Sequence, residues 1–161
     1  EYLLLISKRT MESVTSKTLV DLLSTKQSYS VIVDILKAKP ALSSDPSVMK
    51  ALLGSFSPLL EEKELEQFLA ALCNILINSP THVKFVIRQE SICGLIDYNL
   101  KGKNKLLSPL SAFIASFFPP EHDIFSKNSV SIINCLECWS KTETNSKIQA
   151  KIIERLNVVK P

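Results

Sequence analysis

Prolines recur at positions 40, 80 and 120, and each closes an apolar run of helical spacing. Ile32-Val33-Asp34-Ile35-Leu36 precedes Pro40, and Leu69-Ala70-Ala71-Leu72-Cys73-Asn74-Ile75-Leu76-Ile77 precedes Pro80. Leu110-Ser111-Ala112-Phe113-Ile114, then Phe117-Phe118, precedes Pro119-Pro120. Proline has no N–H to give and its ring clashes with the turn before it, so it stops a helix. A stop every forty residues falls in the period range of stacked helical modules rather than of a compact bundle. The likeness continues past the stops. Thr81-His82-Val83-Lys84-Phe85 is matched by Glu121-His122-Asp123-Ile124-Phe125, and Ser91-Ile92 with Ile96-Asp97 by Ser131-Ile132 with Leu136-Glu137.

With 161 residues the chain has room for one sizeable core or three to four such modules, and 45% apolar with 22% charged residues is ordinary for a folded domain. We read residues 1–161 as a single repeat domain, with repeats near 1–40, 41–80, 81–120 and 121–161. It begins at Glu1 and enters the apolar run Tyr2 to Ile6 at once, so the expectation is a piece of a longer polypeptide. No apolar run reaches the ~18 residues that a membrane span needs. A net charge of +3 is too mild to argue for nucleic acid by itself. Three glycines argue against a phosphate-cradling loop, which needs glycine where backbone meets phosphate. The four cysteines, Cys73, Cys93, Cys135 and Cys138, lie inside apolar segments with no disulfide spacing. That suits a reducing, intracellular setting, cytoplasmic or nuclear.

Periodicity and caps then place the helices. Residues 1–9 form a short apolar helix ending at Lys8-Arg9. A helix over 13–25 is capped by Thr15 or Ser16, and Tyr29 to Lys39 forms the next. Ser44-Asp45-Pro46 opens one that runs through Phe56. Glu61, Glu62, Glu64 and Glu66 crowd the first turns of a helix over 62–78, where carboxylates complement the exposed N–H groups. A short helix from His82 to Gln89 and another from Ser91 to Lys101 follow, with Gly102 as a left-handed terminator. A helix over 106–118, a short one over 123–127 and a longer one over 128–140 come next, the last with Val130, Ile133 and Leu136 inward. Thr144-Asn145-Ser146 caps a final helix with Ile148, Ile152, Ile153 and Leu156 on one face. No segment reads as a strand.

Ala71-Leu72-Cys73-Asn74-Ile75 resembles the alanine-leucine-any-asparagine-leucine signature of the third helix of the armadillo repeat. Val86-Ile87-Arg88-Gln89-Glu90-Ser91-Ile92 with Leu95-Ile96 resembles that family's linker and second helix. The likeness is fullest over 62–101 and weaker over 29–58 and 106–140. Asp34 and Ala115 hold the asparagine position in the flanking repeats. Glu90 and Val130 stand where the family has glycine, which is closer to HEAT-type repeats. The resemblance implies an all-α, right-handed α-solenoid of about three to four armadillo/HEAT-like repeats, whose third helices line one concave surface.

Function is then expected on that surface, as a non-enzymatic scaffold or adaptor binding a protein or peptide segment. The candidate residues are Gln67, Asn74 and Asn78 on the 62–78 helix, and Lys105, Ser108 and Ser111 on the next, with Asp34, Asp123 and Tyr98 at the edges. Asn74 is either a ligand-reading amide or an internal cap, because an unpaired buried amide costs ~1–3 kcal/mol. The alternative is a nucleic-acid-associated repeat that holds a phosphate backbone on Lys101, Lys103 and Lys105. No cofactor is expected. Cys135 and Cys138 lack the second ligand pair of a structural zinc site, and read as packing residues. His82 and His122 occupy equivalent positions without a shared nucleophile or acid, and read as caps or packing groups. Phe117, Phe118 and Trp139 read as core.

Overall fold

The computed structural model describes residues 12–25, 28–102 and 104–161. Among them are nine α-helices and two short 3-10 turns, with no strand. The helices are α1 (Ser16–Ser24), α2 (Tyr29–Ala38), α3 (Pro46–Gly54), α4 (Glu62–Asn78), α5 (Val83–Ile87), α6 (Glu90–Gly102), α7 (Leu107–Ala115), α8 (Asp123–Thr142) and α9 (Ser146–Val159). The 3-10 turns, Pro40–Ser44 and Pro80–His82, each begin on one of the periodic prolines. The chain is thus all-α. The helix expected over 1–9, and Lys103 of the basic turn, lie outside the described residues.

Local chemistry starts the helices where the sequence suggested. Thr15 and Thr18 form a reciprocal capping box on α1. Asp45 accepts from the Ser47 N–H at 2.9 Å, with Pro46 in the first helical position of α3. Asn145 accepts from the N–H groups of Lys147 and Ile148 on α9. Such caps satisfy N–H groups that have no partner inside the helix, each contributing ~1 kcal/mol.

The chain divides into two compact units, residues 1–85 and 86–161. In the first unit α4 is the centre, packed against α2, α3 and both 3-10 turns, while α1 packs on α3. Phe68, Leu69, Leu72, Ile75 and Leu76 of α4 are fully buried. The Phe68 ring meets Tyr29 edge-on at 5.5 Å and Phe56 at 5.2 Å. Fully burying side chains of this size stabilises by ~1.5–3 kcal/mol each, so apolar packing dominates here.

In the second unit α8 packs against α6, α7 and α9, and polar side chains bridge the helices. Asn99 of α6 donates to the Ser111 hydroxyl of α7 at 3.0 Å, and Ser108 donates back to the Asn99 carbonyl at 2.6 Å. Arg155 of α9 donates to the hydroxyl and the carbonyl of Ser116, at 3.1 and 2.6 Å, with its guanidinium 3.8 Å above the Phe117 ring.

Several boundaries and faces differ from expectation. α3 ends at Gly54 rather than running through Phe56, because the Ser55 hydroxyl takes the Leu52 carbonyl at 2.6 Å and Ser57-Pro58 disfavours further helix. α7 stops at Ala115, where the Ser116 hydroxyl takes the Phe113 carbonyl ahead of Pro119-Pro120. Gly102 is the last residue of α6 and not a left-handed terminator. Beyond it, Asn104 serves the start of α7 by accepting from the N–H groups of Leu106 and Leu107 at 2.8 and 2.9 Å.

The two helices expected over 123–127 and 128–140 are joined as α8, with one non-helical residue, Asn128 (φ −119°, ψ 15°), between them. Asn128 donates to the Ile124 carbonyl and to Asp97 of α6. In the part of α8 after the break Ile132 and Leu136, four apart on one face, are buried, while Val130 is exposed. In α9, Ile152 and Leu156 are buried but Ile153 faces out.

Candidate functional site

Helix α4 carries three of the six candidate residues. From Phe68 to Leu76 every side chain is buried except Ala70 and Asn74. Gln67, Ala70, Asn74, Ile77 and Asn78 therefore form one narrow accessible stripe, at the alternating spacing of three and four that keeps residues on one face of a helix. Asn74 donates its amide NH2 to the Ala70 carbonyl at 2.8 Å, and Asn78 donates to the Asn74 carbonyl at 3.1 Å. Each amide satisfies its donor on its own helix and keeps an oxygen to accept with. The stripe has no formal charge and a small residue at its centre, which suits close approach of another backbone. Asn74 is half-buried, and its amide bonds back to α4 itself rather than to the end of a neighbouring helix.

The other three candidates belong to the second unit and have other roles. Ser108 and Ser111 are buried, tied to Asn99 as described, so neither belongs to an accessible face. Their hydroxyls join α6 to α7. Lys105 is exposed in the turn before α7. Of the edge residues, Asp34, Asp123 and Tyr98 are exposed.

The basic turn is partly neutralised, because the Lys101 ammonium lies 2.9 Å from the Asp97 carboxylate. Lys101 first, and then Asn128, hold the Asp97 carboxyl below its ordinary value of 3.8.

Two of the four thiols are buried. Burial pushes the Cys73 thiol far up and raises Cys93 as well, so both stay protonated. Cys135 is half-buried and Cys138 exposed, and the described cysteines form no disulfide. Among the described residues no three His, Cys, Asp or Glu side chains gather as a metal site would require. His122 caps α8 by accepting from the Ile124 N–H at 3.2 Å and stands edge-on to Phe118. His82 is buried against Phe85, and burial, then the Lys84 ammonium, hold its pKa below 6.5. No helix among the described residues is long and apolar enough to cross a membrane.

One feature of the first unit went unnoticed in the sequence. An open groove of about 730 Å³ is lined by residues of α1, α2, α3, the turn before α4 and the first turn of α4, including Val20, Leu23, Tyr29, Phe56, Leu60 and Glu64. Leu59 stands at its rim, 89% exposed. The available signal was the pair Leu59-Leu60, aliphatic side chains in a turn between Pro58 and the glutamate run.

Comparison with protein-family models, with curated proteins and with solved structures returned no match for this chain.

Proposed function

We propose that the chain is a stretch of right-handed α-solenoid, of about three to four armadillo/HEAT-like repeats, that works inside the cell as a non-enzymatic scaffold or adaptor for a protein segment. The order of elements supports the repeat reading. A 3-10 turn, a medium helix and a longer helix run from Pro40 through α3 to α4. The 3-10 turn at Pro80 leads through the short α5 into a further helix pair, α6 and α7, although here the second member is the shorter, nine residues against thirteen. After Pro120 the short part of α8 before Asn128, the part after it, and α9 give a short helix followed by two longer ones. Free thiols support the reducing compartment.

The observation that carries the binding reading is the α4 stripe. From Phe68 onward the helix is buried except for a narrow line, and Gln67, Ala70, Asn74, Ile77 and Asn78 form that line, mostly amide and small residues. A peptide backbone laid along that line finds carboxamide oxygens as hydrogen-bond acceptors. Nucleic acid is the weaker reading, because one lysine of the basic turn already holds a carboxylate.

The test is selection of a phage-displayed random peptide library on the protein, followed by calorimetric titration of the selected peptides. Binding weakened at least ~10-fold by Asn74→Arg, with helicity unchanged by circular dichroism, supports the reading. Selected peptides that bind wild type and variant alike remove the stripe from the function. Strong, salt-sensitive binding of arbitrary single-stranded DNA in place of peptide would favour the phosphate-binding alternative.

A further inference from the structure

We propose that the open groove of the first unit is a second docking site, separate from the α4 stripe, for a protein segment that presents a bulky apolar side chain beside a lysine or arginine. The volume of about 730 Å³ lies within the ~300–1,000 Å³ typical of ligand seats. Its hydroxyl groups are already engaged within the fold. Tyr29 donates to Ser55 at 2.9–3.1 Å, Ser55 donates to the Leu52 carbonyl, and Ser24 donates to the Asp21 carbonyl at 2.8 Å. Ser57 accepts from the Leu59 N–H at 3.2 Å. The groove therefore offers apolar surface from Val20, Leu23, Phe56, Leu60 and the Tyr29 ring, and among the described residues its one charged lining residue is Glu64.

That carboxylate sets the sign of the partner. Glu64 caps the Glu61 N–H through one oxygen at 3.3 Å, which leaves acceptor positions for an ammonium or guanidinium. Glu61 and Glu62, exposed beside it, add to the negative potential and outweigh the single exposed cation among them, Lys63. Leu59 sets the form of the partner. The turn that carries it is fixed by the Leu59 N–H to Ser57 hydroxyl bond and by the Leu60 N–H to Ser57 carbonyl bond at 3.2 Å. An aliphatic side chain is thus held out in water beside an apolar groove, where covering it is favourable. A chain crossing the rim covers both; a small molecule filling the groove leaves Leu59 wet. A two-fold contact with a second copy would set Glu61, Glu62 and Glu64 against their own equivalents.

The experiment uses a phage-displayed library of random peptides of about twelve residues, selected on the full chain in the Asn74→Arg background so that the stripe does not contribute. Enriched peptides should carry Leu, Ile or Phe within a few residues of Lys or Arg. Their affinity, by fluorescence anisotropy, should fall about tenfold with Leu59→Ser and about fivefold with Glu64→Gln. Both substitutions fall at exposed side chains, and circular dichroism checks that the fold is kept. The Glu64→Gln effect should shrink at high salt. Failure to enrich any apolar and basic peptide, or affinities unchanged within twofold in both groove variants, overturns the proposal. A concentration-dependent dimer abolished by Leu59→Ser gives the groove to a second copy instead and also overturns it. Peptides lost with Asn74→Arg bear on the stripe alone, so the two sites succeed or fail separately.

Discussion

The two units use similar residues in opposite ways. In residues 1–85 the central helix is clothed in aliphatic and aromatic packing, and its amides, Asn74 and Asn78, stay at the surface bonded to their own helix. In residues 86–161 the amides and hydroxyls are drawn inside, where Asn99, Ser108, Ser111, Asn128 and Ser116 tie one helix to the next. A polar residue bonded within the fold has little left to offer a partner, whereas one bonded only to its own helix keeps its oxygen outward. Composition does not distinguish the two outcomes; the neighbouring helix does.

The largest test of this contrast is Phe68→Ala, which removes the ring shared by Tyr29 and Phe56. It should cost ~3–5 kcal/mol, read from the urea midpoint by circular dichroism. A cost under ~1 kcal/mol would show that apolar packing does not dominate the first unit. Next comes Arg155→Ala in the second unit, expected to cost ~2–3 kcal/mol through the lost charge-assisted bonds to Ser116 and the contact with Phe117. Arg155→Lys should restore less than half, since an ammonium cannot reproduce two directed bonds and a planar stack. Trp139, edge-on to Phe113 at 6.1 Å in the same unit, provides the fluorescence signal.

A smaller effect sharpens the comparison more. Asn99→Ala breaks the bond to Ser111 and should cost ~1–2 kcal/mol. Asn74→Ala should change stability by no more than ~0.5 kcal/mol, because alanine is the better helix former and the lost bond was local. Equal costs at the two positions would erase the distinction.

The gentlest separation is by pH. His82 in the first unit has a lowered pKa, so the unfolded chain takes up its proton first as pH falls. Its stability should be intact above 6.5 and decline below that value. Asp97 in the second unit also has a lowered pKa, but its contribution persists until the pH drops below 3.8. Urea midpoints between pH 7 and pH 5 should therefore slope for the wild type and flatten for His82→Leu, the residue found forty positions earlier at Leu42.

Much of the helix order was legible because its causes are local. Thr15, Asp45-Pro46 and Asn145 act on N–H groups two or three residues away, and the prolines act on the turn before them, so both can be read along the chain. The α4 core face was legible for a similar reason: seventeen residues of helix give the apolar period room to declare itself. The fates of Ser108 and Ser111 were not, because they depend on Asn99 across the α6–α7 packing. Val130 was misplaced because a spacing of three through Ile133 to Leu136 also reads as a helix face, whereas the buried line runs at a spacing of four through Ile132 and Leu136. The groove escaped notice because Leu59 looks in sequence like any core leucine, and only the folded turn shows that it stands outside.

The graded burial of the four thiols has a practical consequence. Cys138 is open to a thiol-labelling reagent at once, and half-buried Cys135 should follow. Cys73, protonated and enclosed within α4, reacts only when that helix lifts away from its neighbours. Its labelling rate against Cys138 therefore clocks the opening of α4, and a peptide seated on the helix should slow that clock while leaving the reference untouched.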